Sequence, residues 1–67
     1  MKLRVNGERI TIPSSVATIT ELLAYIQVKN PVTIVEHNEN ILEKHDYDSA
    51  KLSDGDKIEL VQFVGGG

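Results

Sequence analysis

The clearest chemical feature of this chain is its C-terminus, where the three glycines from Gly65 to Gly67 follow a strand-like segment. Glycine has no Cβ, so a glycine segment fits a narrow channel and adopts backbone conformations that other residues resist. Extended, three residues reach on the order of 10 Å at roughly 3.3 to 3.6 Å per residue. A free carboxylate is a poor acyl electrophile and must first be joined to a better leaving group, such as AMP. We therefore expect the Gly67 carboxylate to be the reactive group, presented inside a separate enzyme.

Other catalytic groups are scarce in the sequence. The absence of cysteine excludes thiol nucleophiles, thiolate metal ligands and redox pairs. His37 and His45 lie near Glu39, Glu43 and Asp46, but their eight-residue separation matches no common metal-ligand spacing. We predict both histidines to be solvated and expect no metal site. Without a Ser/His/Asp set, paired acids or a phosphate-binding glycine loop, the chain is predicted not to be an enzyme.

Length and composition favour one small globular domain. The chain has 67 residues, of which 40% are hydrophobic and 25% charged, so it fits a single core. A net charge of -3 argues against nucleic acid as a partner. No apolar run is long enough to span a membrane, and the first residues alternate instead of forming a signal peptide. We expect a cytoplasmic protein with a domain over residues 1–64 and a glycine tail over residues 65–67.

A β-hairpin is predicted at the N-terminus. Apolar residues alternate on both sides of Asn6-Gly7, and these two residues tolerate the positive φ angles of a two-residue turn. Such a turn pairs Val5 with Glu8, and this register puts four apolar side chains on one face of the hairpin. They are Leu3, Val5, Ile10 and Ile12.

One amphipathic helix is predicted after the hairpin. Thr18 and Glu21 have the spacing of a capping box, in which each side chain bonds the backbone amide of the other residue. Asn30-Pro31 is expected to end the helix, because proline disfavours helical geometry in the preceding residue. The apolar residues in between form a single stripe, made of Ile19, Leu22, Leu23 and Ile26.

The remaining segments predict strands. Val32 to Val35 is β-branched throughout and is expected to end at residues 38–40, and Ile41-Leu42 is a short fourth candidate. Asp54-Gly55-Asp56 is predicted to be a turn before a last strand from Lys57 to Val64. The resulting order ββαβ(β)β predicts an α+β fold, with a mixed sheet of four to five strands and one main helix packed across it.

The last strand carries two apolar residues on the face that alternation assigns to polar ones, Val61 and Phe63. In one interpretation they form a partner-binding patch beside the tail, with Phe63 as an anchor. In the other they complete the core through a twist or bulge at the strand end. The sequence leaves both interpretations open.

The C-terminal third, from Leu52 to Gly67, resembles the sulfur carriers of thiamine biosynthesis. These are ubiquitin-like β-grasp proteins of this length, and the shared pattern is a leucine, an Asp-Gly-Asp turn, a strand and a terminal Gly-Gly. Gly66 and Gly67 match the obligatory glycine pair of the family, and Gly65 extends it. The resemblance in order and length covers the whole chain and implies a ubiquitin-like β-grasp fold.

The resemblance also implies a function and a set of partners. An adenylyltransferase related to ubiquitin-activating enzymes would use ATP and Mg²⁺ to activate the Gly67 carboxylate. A sulfur donor protein would convert it to a thiocarboxylate, and thiazole synthase would receive the sulfur. The chain itself would bind no cofactor. Two alternatives remain: the same activation chemistry in a molybdopterin synthase small subunit or a protein-conjugating modifier, and a plain β-grasp binding module whose glycines are incidental.

Overall fold

The structure, a computed structural model, describes residues 1–27 and 32–62. These residues form a five-stranded mixed sheet with an α-helix packed on one face, which confirms the predicted fold class and element order. Within the described residues, no helix combines the length and apolarity needed to cross a membrane. The elements are β1 (Lys2–Val5), β2 (Glu8–Thr11), α1 (Ile19–Ile26), β3 (Val32–His37), β4 (Asn40–Leu42) and β5 (Lys57–Gln62).

The N-terminal hairpin has the predicted register. Val5 on β1 pairs with Glu8 on β2, and Asn6 and Gly7 have φ angles of 50° and 83°. Both angles lie in the left-handed region that a two-residue hairpin turn requires. The four apolar side chains predicted to share a face all lie in or against the core: Leu3, Val5, Ile10 and Ile12.

The helix begins as predicted but ends earlier. The Glu21 amide donates to the Thr18 hydroxyl at 3.2 Å, and the Thr18 amide donates to the Glu21 carboxylate at 3.1 Å, which completes the capping box. The last helical residue is Ile26, because Gln27 adopts the left-handed conformation with φ 53° and ends the helix there. The prediction that Asn30-Pro31 closes the helix was therefore wrong, and those two residues lie outside the described part of the chain.

The second hairpin differs from its prediction in extent. β3 continues to His37, and the turn consists of Asn38 and Glu39, with φ angles of 50° and 72°. Asn40, expected in the turn, is the first residue of β4. The two-residue turn keeps the strands paired up to His37 and Asn40. A glutamate in the left-handed region is uncommon, so the sequence gives a weak signal for this turn.

β5 lies at the centre of the sheet, in the strand order β2-β1-β5-β3-β4. It runs parallel to β1 and antiparallel to β3. Its inward side chains, Ile58 and Leu60, pack against the same cluster as Ile19 and Leu22 of α1. The described part of β5 ends at Gln62, so the predicted strand end at Val64 lies outside the described residues. Among the described residues, those buried in the core are Leu3, Ile12, Val16, Ile19, Leu22, Val35, Leu52, Ile58 and Leu60.

Candidate functional site

The strand that leads into the glycine tail is held firmly on both sides. The Leu60 amide donates to the Asn6 side-chain carbonyl at 2.7 Å, and the Asn6 amide donates to the Ile58 carbonyl at 2.9 Å. On the other side β5 pairs with β3 as far as Gln62. Gly67 lies five positions after Gln62, so the terminal carboxylate reaches at most about 18 Å beyond the described strand.

Val61 lies on the face of the sheet that is turned away from α1. Its side chain is 47% exposed, whereas its neighbour Leu60 is buried. Val61 is therefore a surface residue and does not complete the core. Phe63, Gly65, Gly66 and Gly67 lie outside the described residues, so the role of Phe63 as a partner anchor stays a prediction.

Two further apolar side chains are exposed on the same face. Ile34 on β3 stands directly opposite Val61, and Ile41 on β4 stands opposite Glu36, diagonal to Ile34. Ile34 is 39% exposed and Ile41 is 70% exposed. Opposite side chains on paired strands are close enough to form a continuous surface. We call Ile34, Ile41 and Val61 the apolar patch; it adjoins the strand end from which the tail continues.

His37 and Asp56 form the largely buried centre of a polar cluster. The His37 Nε2 atom lies 2.7 Å from the Asp56 Oδ2 atom, and the two side chains are 16% and 12% exposed. Asn38 donates to Asp56 Oδ1 at 3.1 Å, and the Ser53 amide donates to Oδ2 at 2.9 Å. The prediction that His37 is solvated was therefore wrong. The pairing of β3 with β5 brings these residues together, although His37 and Asp56 are 19 positions apart.

The environment of Asp56 lowers its pKa. Burial alone raises the pKa of this carboxyl, because it disfavours the charged form. Hydrogen bonds from His37, Asn38 and the Ser53 amide act in the opposite direction and prevail, so the pKa of Asp56 lies below its ordinary value of 3.8. A carboxylate that accepts three hydrogen bonds fixes the loop before β5, which is a structural role for the second aspartate of the Asp-Gly-Asp turn.

His45 behaves as predicted. Its side chain is 74% exposed, and its ring nitrogens lie 3.4 Å from carboxylate oxygens of Glu43 and Asp46. Exposed contacts at this distance contribute little to stability. Among residues 1–27 and 32–62, no three His, Cys, Asp or Glu side chains are grouped so that they could hold a metal ion.

Comparison with known proteins establishes the family of the chain. The model of the ThiS family matches residues 3–67, which is nearly the whole sequence. The chain belongs to the ThiS family. This ThiS-family chain is 43% identical over 65 residues to the sulfur carrier protein ThiS of Bacillus subtilis, covering 97% of this chain and 98% of the relative.

Two further relatives extend the comparison. The crystal structure of the thiamine biosynthesis protein ThiS from Geobacter metallireducens superimposes with a TM-score of 0.82 at 37% identity, and the match covers 100% of both chains. This agreement confirms the ubiquitin-like β-grasp fold for this ThiS-family chain. A thiazole synthase of Paramagnetospirillum magneticum is 40% identical over 67 residues, which is all of this chain and 20% of that protein.

Sequence reasoning missed three features at the two ends of β5 in this ThiS-family chain. Ile34 and Ile41 belong to the apolar patch, and Asp56 holds the loop before β5. Each of these roles depends on the order of the strands in the sheet, which the sequence does not give. Only Ile41 had a local signal, since an apolar residue beside Leu42 on a short strand must face away from the core.

Proposed function

We propose that this chain is a sulfur carrier of thiamine biosynthesis, and that its Gly67 carboxylate is adenylated and then converted to a thiocarboxylate. Family membership over residues 3–67 supports the carrier assignment. The observation that carries the proposal is the position of β5, the central strand, which is anchored on both sides and continues in sequence into the glycine tail. In this proposal the folded domain docks on the partner enzymes and positions the tail. The chain is a co-substrate rather than an enzyme.

The chemistry proceeds in two balanced steps. A carboxylate oxygen of Gly67 attacks the α-phosphorus of ATP, and pyrophosphate leaves, so that an acyl adenylate forms. Hydrosulfide delivered by a donor protein then attacks the carbonyl carbon, AMP leaves, and a thiocarboxylate forms as the sulfur loses its proton. ATP and Mg²⁺ belong to the activating enzyme. This chain supplies the acyl group and the docking surface.

Thiazole synthase is the proposed acceptor of the sulfur. The thiazole synthase of Paramagnetospirillum magneticum contains a region that is similar to this entire chain. Such an arrangement in one polypeptide supports a working contact between a carrier of this type and that enzyme. The relatives described above favour the thiamine pathway over molybdopterin synthesis or protein conjugation, and those two alternatives are outcomes of the test below.

Intact mass spectrometry tests the proposal directly. The protein is incubated with Mg-ATP, a thiamine-pathway activating enzyme and a sulfur donor. We expect a mass gain that corresponds to replacement of one carboxylate oxygen by sulfur, located at Gly67 by fragmentation. The activating enzyme is first shown to be active on a known carrier. If the mass is then unchanged, the thiamine assignment is wrong; modification by a molybdopterin-pathway or conjugating enzyme would identify the alternative.

The apolar patch gives a prediction about docking. Val61→Ser is expected to raise the KM of the activating enzyme for this carrier about 10-fold, because an anchor at a protein interface typically contributes more than about 1 kcal/mol. The kcat should not change, since Val61 does not touch the reacting atoms. Tyr25→Ser is the matched control, because Tyr25 is 49% exposed but lies on α1, on the other face of the sheet.

Steady-state kinetics and thermal melting of both variants separate docking from folding. Phe63→Ala is expected to behave like Val61→Ser and to weaken activation more than it weakens folding. An equal change in KM for Val61→Ser and Tyr25→Ser would contradict the docking role of the patch. The docking role would also be contradicted if the KM of Val61→Ser or Phe63→Ala rose only as much as the loss of folded protein explains.

A further inference from the structure

A second surface lies on the outer face of the sheet, at the end remote from the tail. Four exposed cationic side chains gather there, and we call them the cationic cluster: Lys2, Arg4, Arg9 and Lys57. Arg4 on β1 stands directly opposite Arg9 on β2 and, on its other side, opposite Lys57 on β5. The four residues line an open groove of about 390 Å³.

This clustering is not explained by folding. The chain has 10 acidic and 7 Lys or Arg residues, yet four of those seven bases share one small surface. Within the described residues, the ion pairs involve only histidines, so none of these four side chains is paired with a carboxylate, although Asp54 also lines the groove. Like charges that stand directly opposite each other on paired strands destabilise a sheet. Such an arrangement therefore indicates a role in which the opposing charge comes from another molecule.

Between the cationic cluster and the tail, the outer face carries acidic and then apolar side chains. Next to the cationic cluster, Glu36 on β3 stands opposite Glu59 on β5, which again places like charges side by side. Ile41 of the apolar patch lies level with these acids, opposite Glu36, and Ile34 and Val61 lie beyond them, next to Gln62. Lys57 and Gln62 are five residues apart, which corresponds to about 17 Å along a strand. The face thus runs from the cationic cluster, past the acidic pair Glu36 and Glu59, to apolar side chains beside Gln62.

We propose that the cationic cluster docks on an acidic surface of the enzyme that activates the Gly67 carboxylate, and that it sets the orientation of the carrier in that encounter. This inference rests on the proposed function. An enzyme that holds ATP beside a carboxylate must be electropositive at that point, so it repels the cationic cluster, which lies farther from the tail than the acidic pair Glu36 and Glu59. The matching acidic surface then lies roughly 17 Å or more from the entrance to the tail channel. Only one orientation of the carrier places the tail at the ATP and the cationic cluster on the acidic surface at the same time.

The groove is better suited to a protein surface than to a small anion. Sites for phosphate groups use free backbone amides. Here the nearby amides are occupied: the Lys2 amide donates to Asp54 at 2.6 Å, the Arg4 amide to the Asp56 carbonyl at 2.9 Å, and the Gly55 amide to the Lys2 carbonyl at 2.7 Å. The groups left to bind a ligand in this groove are therefore the charged side chains, which are spread over three strands. The Asp54 carboxylate in the same groove also disfavours a free anion or a nucleic-acid backbone.

The test compares two double variants that change the net charge equally. Arg4→Ala/Arg9→Ala removes two charges from the cluster, and Lys44→Ala/Lys51→Ala removes two exposed charges elsewhere. The kcat/KM for activation is measured by ATP–pyrophosphate exchange at about 0.01 M and about 1 M salt, where the Debye length is about 30 Å and about 3 Å. We expect the cluster variant to lose about 10-fold at low salt and little at high salt. The control variant should lose less than about 2-fold at either salt concentration.

The outcomes distinguish the docking role of the cluster from the carrier function. If the wild-type chain is activated and the two double variants have equal rates, the docking role of the cluster is wrong and the carrier function stands. If the wild-type chain is not activated, both proposals fail. A loss that is the same at both salt concentrations, or inorganic phosphate binding that the cluster variant abolishes without a change in activation, would also overturn the inference. Melting curves verify folding, and Arg9→Gln on the edge strand β2 provides a milder second variant.

Discussion

Deletion of Gly67 is expected to abolish thiocarboxylate formation while the melting temperature stays the same. Activation requires the carboxylate to meet the α-phosphorus of ATP inside another protein. Removing one residue withdraws the carboxylate by about 3.3 to 3.6 Å. A misplacement of about 1 Å already reduces the rate of a well-oriented reaction about 100-fold, so the loss should be at least that large. Addition of one alanine after Gly67 should abolish thiocarboxylate formation equally, because the terminal carboxylate then lies one residue beyond the point where it meets the α-phosphorus.

Stability should not change, because the buried core formed by the described residues extends from Leu3 to Leu60 and so ends seven positions before Gly67. Mass spectrometry after incubation with the activating enzyme and a sulfur donor measures the first effect, and thermal melting measures the second. Ser14→Ala serves as a control for handling, since Ser14 is exposed and far from the tail in sequence. Sulfur transfer that survives either tail variant would remove Gly67 from the mechanism. A lowered melting temperature would show that the tail packs against the domain.

Local signals in the sequence were sufficient to predict the type and order of the helices and strands, although not every end. Asn6-Gly7 determines the first hairpin because both residues accept positive φ angles, and the Thr18 and Glu21 capping box fixes the start of α1. Each of these features depends on residues a few positions apart. The end of α1 was missed because Gln27 adopts a left-handed conformation that glutamine seldom takes, so its residue type gives no signal.

Nonlocal pairing accounts for what the sequence did not reveal. His37 was predicted to be solvated, and its contact with Asp56 arises only because β3 lies beside β5. The cationic cluster likewise requires β1 between β2 and β5, which brings Arg4, Arg9 and Lys57 into one row. Alternation along a strand shows which residues share its face. It does not show which residues of other strands stand opposite them, and the surfaces proposed here to bind partners are built from such pairs.

Replacement of the buried aspartate, Asp56→Ala, is expected to lower the free energy of unfolding by about 2 to 4 kcal/mol. The variant loses three hydrogen bonds to a charged acceptor and leaves the Ser53 amide and the Asn38 side chain without that partner. Since a domain of this size has roughly 3 to 10 kcal/mol in total, the melting temperature should fall by about 10 to 30 °C. Asp54→Ala is the matched control, because it also removes one negative charge but loses a single exposed hydrogen bond, to the Lys2 amide.

The same substitution predicts a pH dependence with a definite sign. Because the pKa of Asp56 is lowered from 3.8 in the folded state, the stability that its charged form contributes is present above pH 3.8. That contribution is lost as the pH falls through the lowered pKa. The wild type should therefore exceed Asp56→Ala by a constant margin at neutral pH, and the margin should shrink below pH 3.8. Urea unfolding between about pH 2 and pH 7 measures it; a margin that does not change with pH, or that grows in acid, would contradict the assigned role of this carboxylate.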